Sequence, residues 1–145
     1  MNIENRKAYH DYFIEEQLEC GISLTGDEIK SIRSGKASIK ESWISAEDKQ
    51  LTIKGMHITH YEKRYNYNVV DEKRDRKLLA HKNEIIKLSN SVQRAGYTII
   101  PLKVYINKYG KCKVLIGLCK GKHNYDKREA LKEKQIKRDI DRSYK

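Results

Sequence analysis

The stretch Ile100-Pro-Leu-Lys-Val-Tyr-Ile106, the turn Asn107-Lys-Tyr-Gly110 and the return Val114-Leu-Ile-Gly-Leu118 decide the fold. Ile100, Leu102, Val104 and Ile106 fall at every second position, as do Val114, Ile116 and Leu118. A strand sends successive side chains to opposite faces, so this spacing predicts two paired strands, each with one buried face. Asn and Gly between them supply the turn. Pro101 has no N–H to give to a ladder, which places it at an edge or a bulge.

Working outward, His10 to Leu18 reads as a strand with Tyr12, Ile14 and Leu18 on one side and Phe13 and Glu15 on the other. Thr25-Gly-Asp-Glu28 is a capping box: the Thr hydroxyl accepts from the Glu28 N–H and the Glu28 carboxylate reaches back. The helix it opens turns Ile29 and Ile32 inward and stops at Gly35, a left-handed cap position. Ala37–Ile44 and Leu51–Ile58 read as two more strands around a polar turn near Asp48. A second helix fits Asn83–Ala95, where Ile85, Leu88, Val92 and Ala95 recur at helical spacing before Gly96. The expected class is mainly β with flanking helices. A small antiparallel barrel of the oligonucleotide-binding type is one solution, with a sandwich left open by composition.

The chain has 145 residues, room for one domain with a small core. Lys and Arg exceed Asp and Glu by 31 to 20, a net charge of +11. No run approaches the roughly 20 apolar residues that span a bilayer, and the opening Met-Asn-Ile-Glu lacks the regions of a signal peptide, so secretion and membrane insertion are not expected. Cys20, Cys112 and Cys119 form no CxxC pair and adjoin apolar runs. They are expected as reduced, buried thiols in a cytoplasmic protein without metal or cofactor.

The positive charge is uneven. Lys120 to Lys145 holds ten Lys or Arg against five Asp or Glu and no clustered Val or Ile. A second basic stretch, Tyr61 to Lys77, interleaves Tyr61, Tyr65 and Tyr67 with Lys63, Arg64, Lys73, Arg74, Arg76 and Lys77. Without periodicity, it reads as a long mobile loop. Cations neutralise phosphates and flat rings stack on bases, so the two runs point to RNA. The terminal segment also carries helix signals: Asp126 as N-cap, Glu129 as its box partner, and an Ile136/Ile140/Tyr144 run. A helix over Lys127–Arg142 would have too thin an apolar side to dock, so residues 120–145 are expected to be disordered until bound, appended to a barrel at 1–119.

Several blocks resemble the SmpB family of tmRNA-binding proteins. These are Asn5-Arg-Lys-Ala8, His10-Asp-Tyr-Phe-Ile-Glu-Glu16, Glu19-Cys-Gly21, Leu24-Thr-Gly-Asp-Glu-Ile-Lys-Ser-Ile-Arg33, Arg76-Lys-Leu-Leu79, Gly96-Tyr-Thr-Ile-Ile-Pro-Leu102, Lys113-Val-Leu-Ile-Gly-Leu118 and Tyr125-Asp-Lys-Arg128. They are collinear and cover nearly the whole chain. The resemblance implies an oligonucleotide-binding-type barrel and a non-catalytic adaptor in ribosome rescue. Such a protein binds the tRNA-like domain of tmRNA and enters stalled ribosomes with it, in a delivery complex with elongation factor Tu. Its tail occupies the decoding centre and the empty mRNA channel. Neither membrane nor DNA is an expected partner.

Carried over position by position, the tmRNA face comprises Asn5, Arg6, Lys7, His10, Glu19, Lys30, Arg33, Lys77, Leu79 and His81. The basic members neutralise phosphates, which supplies affinity and salt dependence rather than selectivity. Glu19, repelled by phosphates, fits as an acceptor from a base or as an orienter of a neighbour. Leu79 would lie against an unstacked base. The decoding-centre set is Gly121, Lys122, Tyr125, Asp126, Lys127 and Arg128, with Tyr125 stacking on a base. Two positions depart from the family: His81 stands where Asn is frequent, and His123 follows Gly121-Lys122 where Lys is common, which removes a charge near neutral pH. Two rival readings exist. A ribonuclease using His10, Glu19, His57 and His60 is disfavoured, because alternation would put His10 and Glu19 on opposite faces. A structural ribosomal protein fits the composition equally well.

Overall fold

A computed structural model describes residues 2–47, 49–60, 71–94 and 96–121. The order is β1 (Asn2–Glu4), α1 (Arg6–Asp11), β2 (Tyr12–Ile22), α2 (Gly26–Arg33), β3 (Ala37–Ser38), β4 (Trp43–Glu47), β5 (Gln50–Lys54), β6 (His57–Ile58), β7 (Arg76–Leu79), α3 (Lys82–Val92), β8 (Tyr97–Ile106) and β9 (Cys112–Gly121). All described pairings are antiparallel, and the strands run β8–β4–β5–β7–β2–β9 and back to β8, where β4 meets β8 through Ile44 and Ile99. This closes a barrel and leaves short β1 on the free edge of β8, opposite Lys103 to Tyr105. Ile53, Leu51, Leu78, Ile99, Val104, Val114, Ile116 and Leu118 fill the interior, capped by Ile85 and Leu88 of α3.

The β8–β9 pair forms as expected, but the alternation does not run unbroken. The ladder slips between Pro101 and Lys103, so Pro101 sits at a bulge, and a second slip on β2 falls between Ile14 and Glu16. Each extra residue reverses which side points inward. Val104, Leu18 and Cys20 join the barrel interior, whereas Ile100, Leu102, Ile14 and Tyr12 pack outside it with Ala8 and Cys119. The four β8 residues read as one face are thus divided between two. Helix α1, absent from the sequence reading, roofs this outer patch. Its six residues are too few to announce themselves by periodicity. Gly117 lies where the patch converges: a Cβ there would come 2.8 Å from Leu102 Cδ1 and 3.2 Å from Ile14 Cγ2.

The capping box at Thr25 is present on both sides, with the Glu28 N–H donating to Thr25 Oγ1 and the Thr25 N–H to Glu28 Oε1. Gly35, at φ +74°, closes the helix, with its own N–H on Ile32 O and that of Lys36 on Ser31 O. Ile32 is buried and Ile29 only partly so. Three boundaries differ from expectation. Ala37–Ile44 is broken into β3 and β4 by a turn that Ser42 ties to Ile39 O. Leu51–Ile58 is broken at Gly55, whose φ of +78° turns the chain against Glu41 O. The helix placed at Asn83–Ala95 spans Lys82–Val92.

The basic stretch Tyr61–Lys77 is corrected at its end: Arg76 to Leu79 is strand β7, and Arg76 is wholly buried. Arg76 Nε and Nη2 hold Glu28 Oε2, Nη1 donates to Met56 O and Arg74 O, and Nη2 also donates to Glu72 O. All five guanidinium N–H groups therefore have acceptors. Arg74 grips the same carboxylate from the half-exposed side. These cations hold α2 onto the barrel rather than facing a ligand. Residues 61–70 lie outside the described set, as does everything after Gly121. β9 continues through Lys120 and Gly121, which pair with Phe13 and Tyr12.

Candidate nucleic-acid interface

The register of the strands composes an outward wall. On the outer side of β2–β9–β8–β1, one row runs Glu19, Leu115, Lys103, Glu4. The next runs Gly21, Lys113, Tyr105, Asn2, and Leu79 of β7 stands opposite Gly21. Strands lie about 4.8 Å apart, so each row spans roughly 14 Å, the width of a few nucleotides. Lys77 and Leu79 point outward because Arg76 and Leu78, between and beside them, point in. Leu79 keeps 53% of its surface exposed on the outward side of β7. Gly21 makes room for it: a Cβ at Gly21 would lie 3.3 Å from Leu79 Cβ.

Glu19 does not stand alone on this wall. The Tyr105 hydroxyl donates to Glu19 Oε2, and the Lys103 ammonium sits 5.1 Å above the Tyr105 ring. The phenol orients the carboxylate and leaves its second oxygen for an outside donor, while Lys103 and Lys113 offset its charge toward an incoming polyanion. Lys103, Tyr105 and Lys113 were not singled out from the sequence. The signal was there: they occupy the outward positions complementary to Val104 and Val114 in strands already recognised.

The remaining expected contacts divide. Arg6 is exposed and 4.0 Å from Glu4, at the end of the Glu19 row. Lys7 is exposed and helps line a cleft with Lys40 and Trp43. His10 is exposed, its Nδ1 2.9 Å from Asp11 Oδ1. It lies in α1 rather than in a strand, so the alternation argument about its face does not apply. Lys30 is exposed on α2, and Arg33 reaches across to donate from Nη2 to Gly110 O at 3.3 Å. His81 is the exposed N-cap residue of α3 and makes no capping bond with its side chain.

Asn5 lies beneath the surface. Only 2% exposed, its amide donates to Ile39 O and Pro101 O and its Oδ1 accepts from the Ala8 N–H. Its side chain anchors α1 and has no polar atom left for RNA. Gly121, the last described residue, closes β9. Lys122, Tyr125, Asp126, Lys127 and Arg128 lie outside the described residues.

Glu72 bridges His57 and His60: its Oε1 is 3.1 Å from His57 Nε2, and its Oε2 accepts from the His60 N–H at 2.7 Å. That backbone bond, then the His57 ring, hold the Glu72 carboxyl below the usual range. Both histidines are thus engaged with Glu72, an arrangement in which neither His10 nor Glu19 takes part. The three thiols are free and buried, and burial pushes Cys20 up to about 12 and Cys112 and Cys119 to about 11. Among the described residues no helix is long and apolar enough to cross a membrane.

A small closed barrel whose outer wall sets cations, a ring and an exposed Leu around one oriented carboxylate has the features of a nucleic-acid-binding barrel. The family model described as SmpB protein matches residues 2–145. A protein of Staphylococcus epidermidis named SsrA-binding protein is 54% identical over 142 residues, covering 98% of this chain and 90% of its own. One of the same name from Staphylococcus aureus strain Newman is 52% identical, covering 98% and 91%. A solved structure described as "tmRNA-SmpB: a journey to the center of the bacterial ribosome" contains a similar chain, with TM-score 0.70 and 46% identity over 83% of this chain and 84% of that one. The protein belongs to the SmpB family.

Proposed function

We propose that this protein is an RNA-binding adaptor of trans-translation. It binds the tRNA-like domain of tmRNA on the outer wall of the barrel and accompanies it into stalled ribosomes in the cytoplasm. The observation that carries the reading is the Glu19–Tyr105 pair set beside exposed Leu79 and among Lys77, Lys103 and Lys113. Phosphate neutralisation by these lysines supplies affinity, and the carboxylate and Leu supply the contacts that distinguish a folded, partly unstacked RNA from any polyanion. The names carried by the relatives and by the similar solved structure support the same partner.

Several finer elements belong to this proposal. Arg6, Lys7, His10, Lys30, Arg33, Lys77, Leu79 and His81 contribute to the RNA face, and Asn5 supports it from beneath. Gly121 and the residues from Lys122 onward enter the decoding centre and empty mRNA channel. There Tyr125 stacks and Lys122, Lys127 and Arg128 meet ribosomal phosphates, with Asp126 capping the helix that follows. Elongation factor Tu accompanies delivery, and the protein performs no catalysis itself.

The test is a pair of assays on one set of variants. Leu79→Glu should abolish tight binding of the tRNA-like RNA. Deletion from Lys122 should leave that binding intact and remove tagging of stalled peptides. Loss of RNA binding on the deletion, or tight binding by Leu79→Glu, contradicts the reading. A high-salt wash of ribosomes separates it from a built-in ribosomal protein, which would remain stoichiometric.

A further inference from the structure

We infer that the tip of the β8–β9 hairpin is an additional RNA contact, in which Tyr109 stacks on an unpaired base of the same tRNA-like RNA while Lys108 and Lys111 neutralise flanking phosphates. This rests on the reading that the outer wall binds that RNA.

Tyr109 keeps 75% of its surface exposed, against 41% to 53% for Phe13, Tyr9, Trp43 and Leu79. The ring is carried on a fixed turn. Asn107 Oδ1 accepts from the N–H groups of both Tyr109 and Lys111 at 2.9 Å, the Asn107 N–H donates to Lys111 O at 2.8 Å, and the Gly110 N–H donates to Asn107 O at 3.0 Å. Gly110 takes φ +76°, and its carbonyl accepts from Arg33 Nη2 of α2, 77 positions away. Holding a turn this closely fixes the backbone that carries the ring, so stacking need order only the side chain.

The charge selects the partner. No Asp or Glu occurs between Ile85 and Tyr125, and the tip itself bears Lys108 and Lys111. The Lys108 ammonium lies 5.2 Å from the Tyr109 ring centre, and a base stacked on the ring would be flanked by that cation, a combination that suits single-stranded nucleic acid. The placement fits too. β9 leaves the tip through Lys113, which pairs with both Gly21 and Tyr105, so the tip extends the wall that carries Glu19 and Leu79. Arg33, expected to touch phosphate, is engaged in part with steadying this tip.

The experiment measures Kd for the tRNA-like RNA, across a salt series, with the full-length wild type, Tyr109→Ala, Tyr109→Phe, and the double variant Lys108→Gln/Lys111→Gln. Tyr109→Ala should weaken binding about tenfold with an unchanged salt slope. Tyr109→Phe should stay within about twofold, and the double variant should reduce the slope by roughly 1.5. Thermal midpoints should not move for Tyr109→Ala, which touches no core. Wild-type affinity in Tyr109→Ala, or an equal loss in Tyr109→Phe, overturns the stacking contact and leaves the wall's role standing. Failure of the wild type to bind the RNA overturns both.

Discussion

Replacing Glu28 by Gln tests how α2 is held to the barrel. The side chain is nearly isosteric and can still serve the capping box, so the change isolates the charge. In the native protein that carboxylate, 8% exposed, faces the wholly buried guanidinium of Arg76 and the partly exposed one of Arg74. Removing one partner of a buried pair leaves an uncompensated charge, at about 3–5 kcal/mol. Gln retains some acceptor capacity, and Met56 O, Arg74 O and Glu72 O still serve Arg76, so the lower end applies. For a domain of this size ~4 °C per kcal/mol converts 3 kcal/mol into a fall in Tm of roughly 12 °C.

Circular dichroism at pH 7 reads this directly, and a double-mutant cycle with Arg76→Met should show the two changes to be strongly non-additive, because Met removes the charge that needs a partner. The acid side gives a second readout. Burial raises the Glu28 pKa, but hydrogen bonds from Arg74, the Thr25 backbone and Arg76 together outweigh it, so the carboxyl stays below its ordinary 4.5. A depressed folded-state value means that the contribution is complete above pH 4.5 and is lost as pH falls through the folded value. The wild type should therefore lose stability in acid more steeply than Glu28→Gln. A Tm change below 3 °C, additive effects, or parallel acid profiles would refute this account of the network.

Other outcomes follow from single sites. Gly55→Ala should lower stability by about 2 kcal/mol, because a left-handed backbone coincides with a Cβ only 2.8 Å from Glu41 O; unfolding midpoints in urea check it. Gly117→Ala should cost about 1–3 kcal/mol by forcing Leu102 and Ile14 apart beneath α1, with little effect at the β8–β9 tip; chemical shifts of Tyr109 would report the latter. Tyr105→Phe keeps the ring and removes the donor to Glu19, so RNA affinity should fall about fivefold without a change in salt slope, measured by titration at three salt concentrations. The buried thiols should react with a disulfide reagent at pH 8 only at the rate of unfolding, which timed absorbance would show.

What the sequence disclosed was local. The β8–β9 hairpin, the Thr25 capping box and the Gly35 cap each depend on residues a few positions apart; the box and the cap stand in the structure as read, and the hairpin stands in its pairing but not in the single buried face read for β8. The two bulges were not legible as reversals of face. Pro101 signalled an irregularity, but nothing within β2 or β8 shows that Leu18 and Val104 point opposite to Ile14 and Ile100 until both strands flank β9. Arg76 looked like one more surface cation because its carboxylate lies 48 positions away. The anchoring role of Asn5 was hidden for the same reason: its acceptors, Ile39 O and Pro101 O, are 34 and 96 positions distant. The Glu19–Tyr105 pair, 86 positions apart, required the β2–β9–β8 register. Conversely, the interior positions of β8 and β9 implied Lys103, Tyr105 and Lys113 outside, an inference open to sequence alone.

Backbone amide shifts of the full-length protein, followed while the tRNA-like RNA is added, test the placement of recognition most directly. The account predicts that the largest changes cluster at Glu19, Gly21, Leu79, Lys103, Tyr105 and Lys113, with Lys87 and Asn90 on the outer side of α3 unmoved. Changes concentrated on α3 and absent from the β2–β9–β8 wall would contradict it.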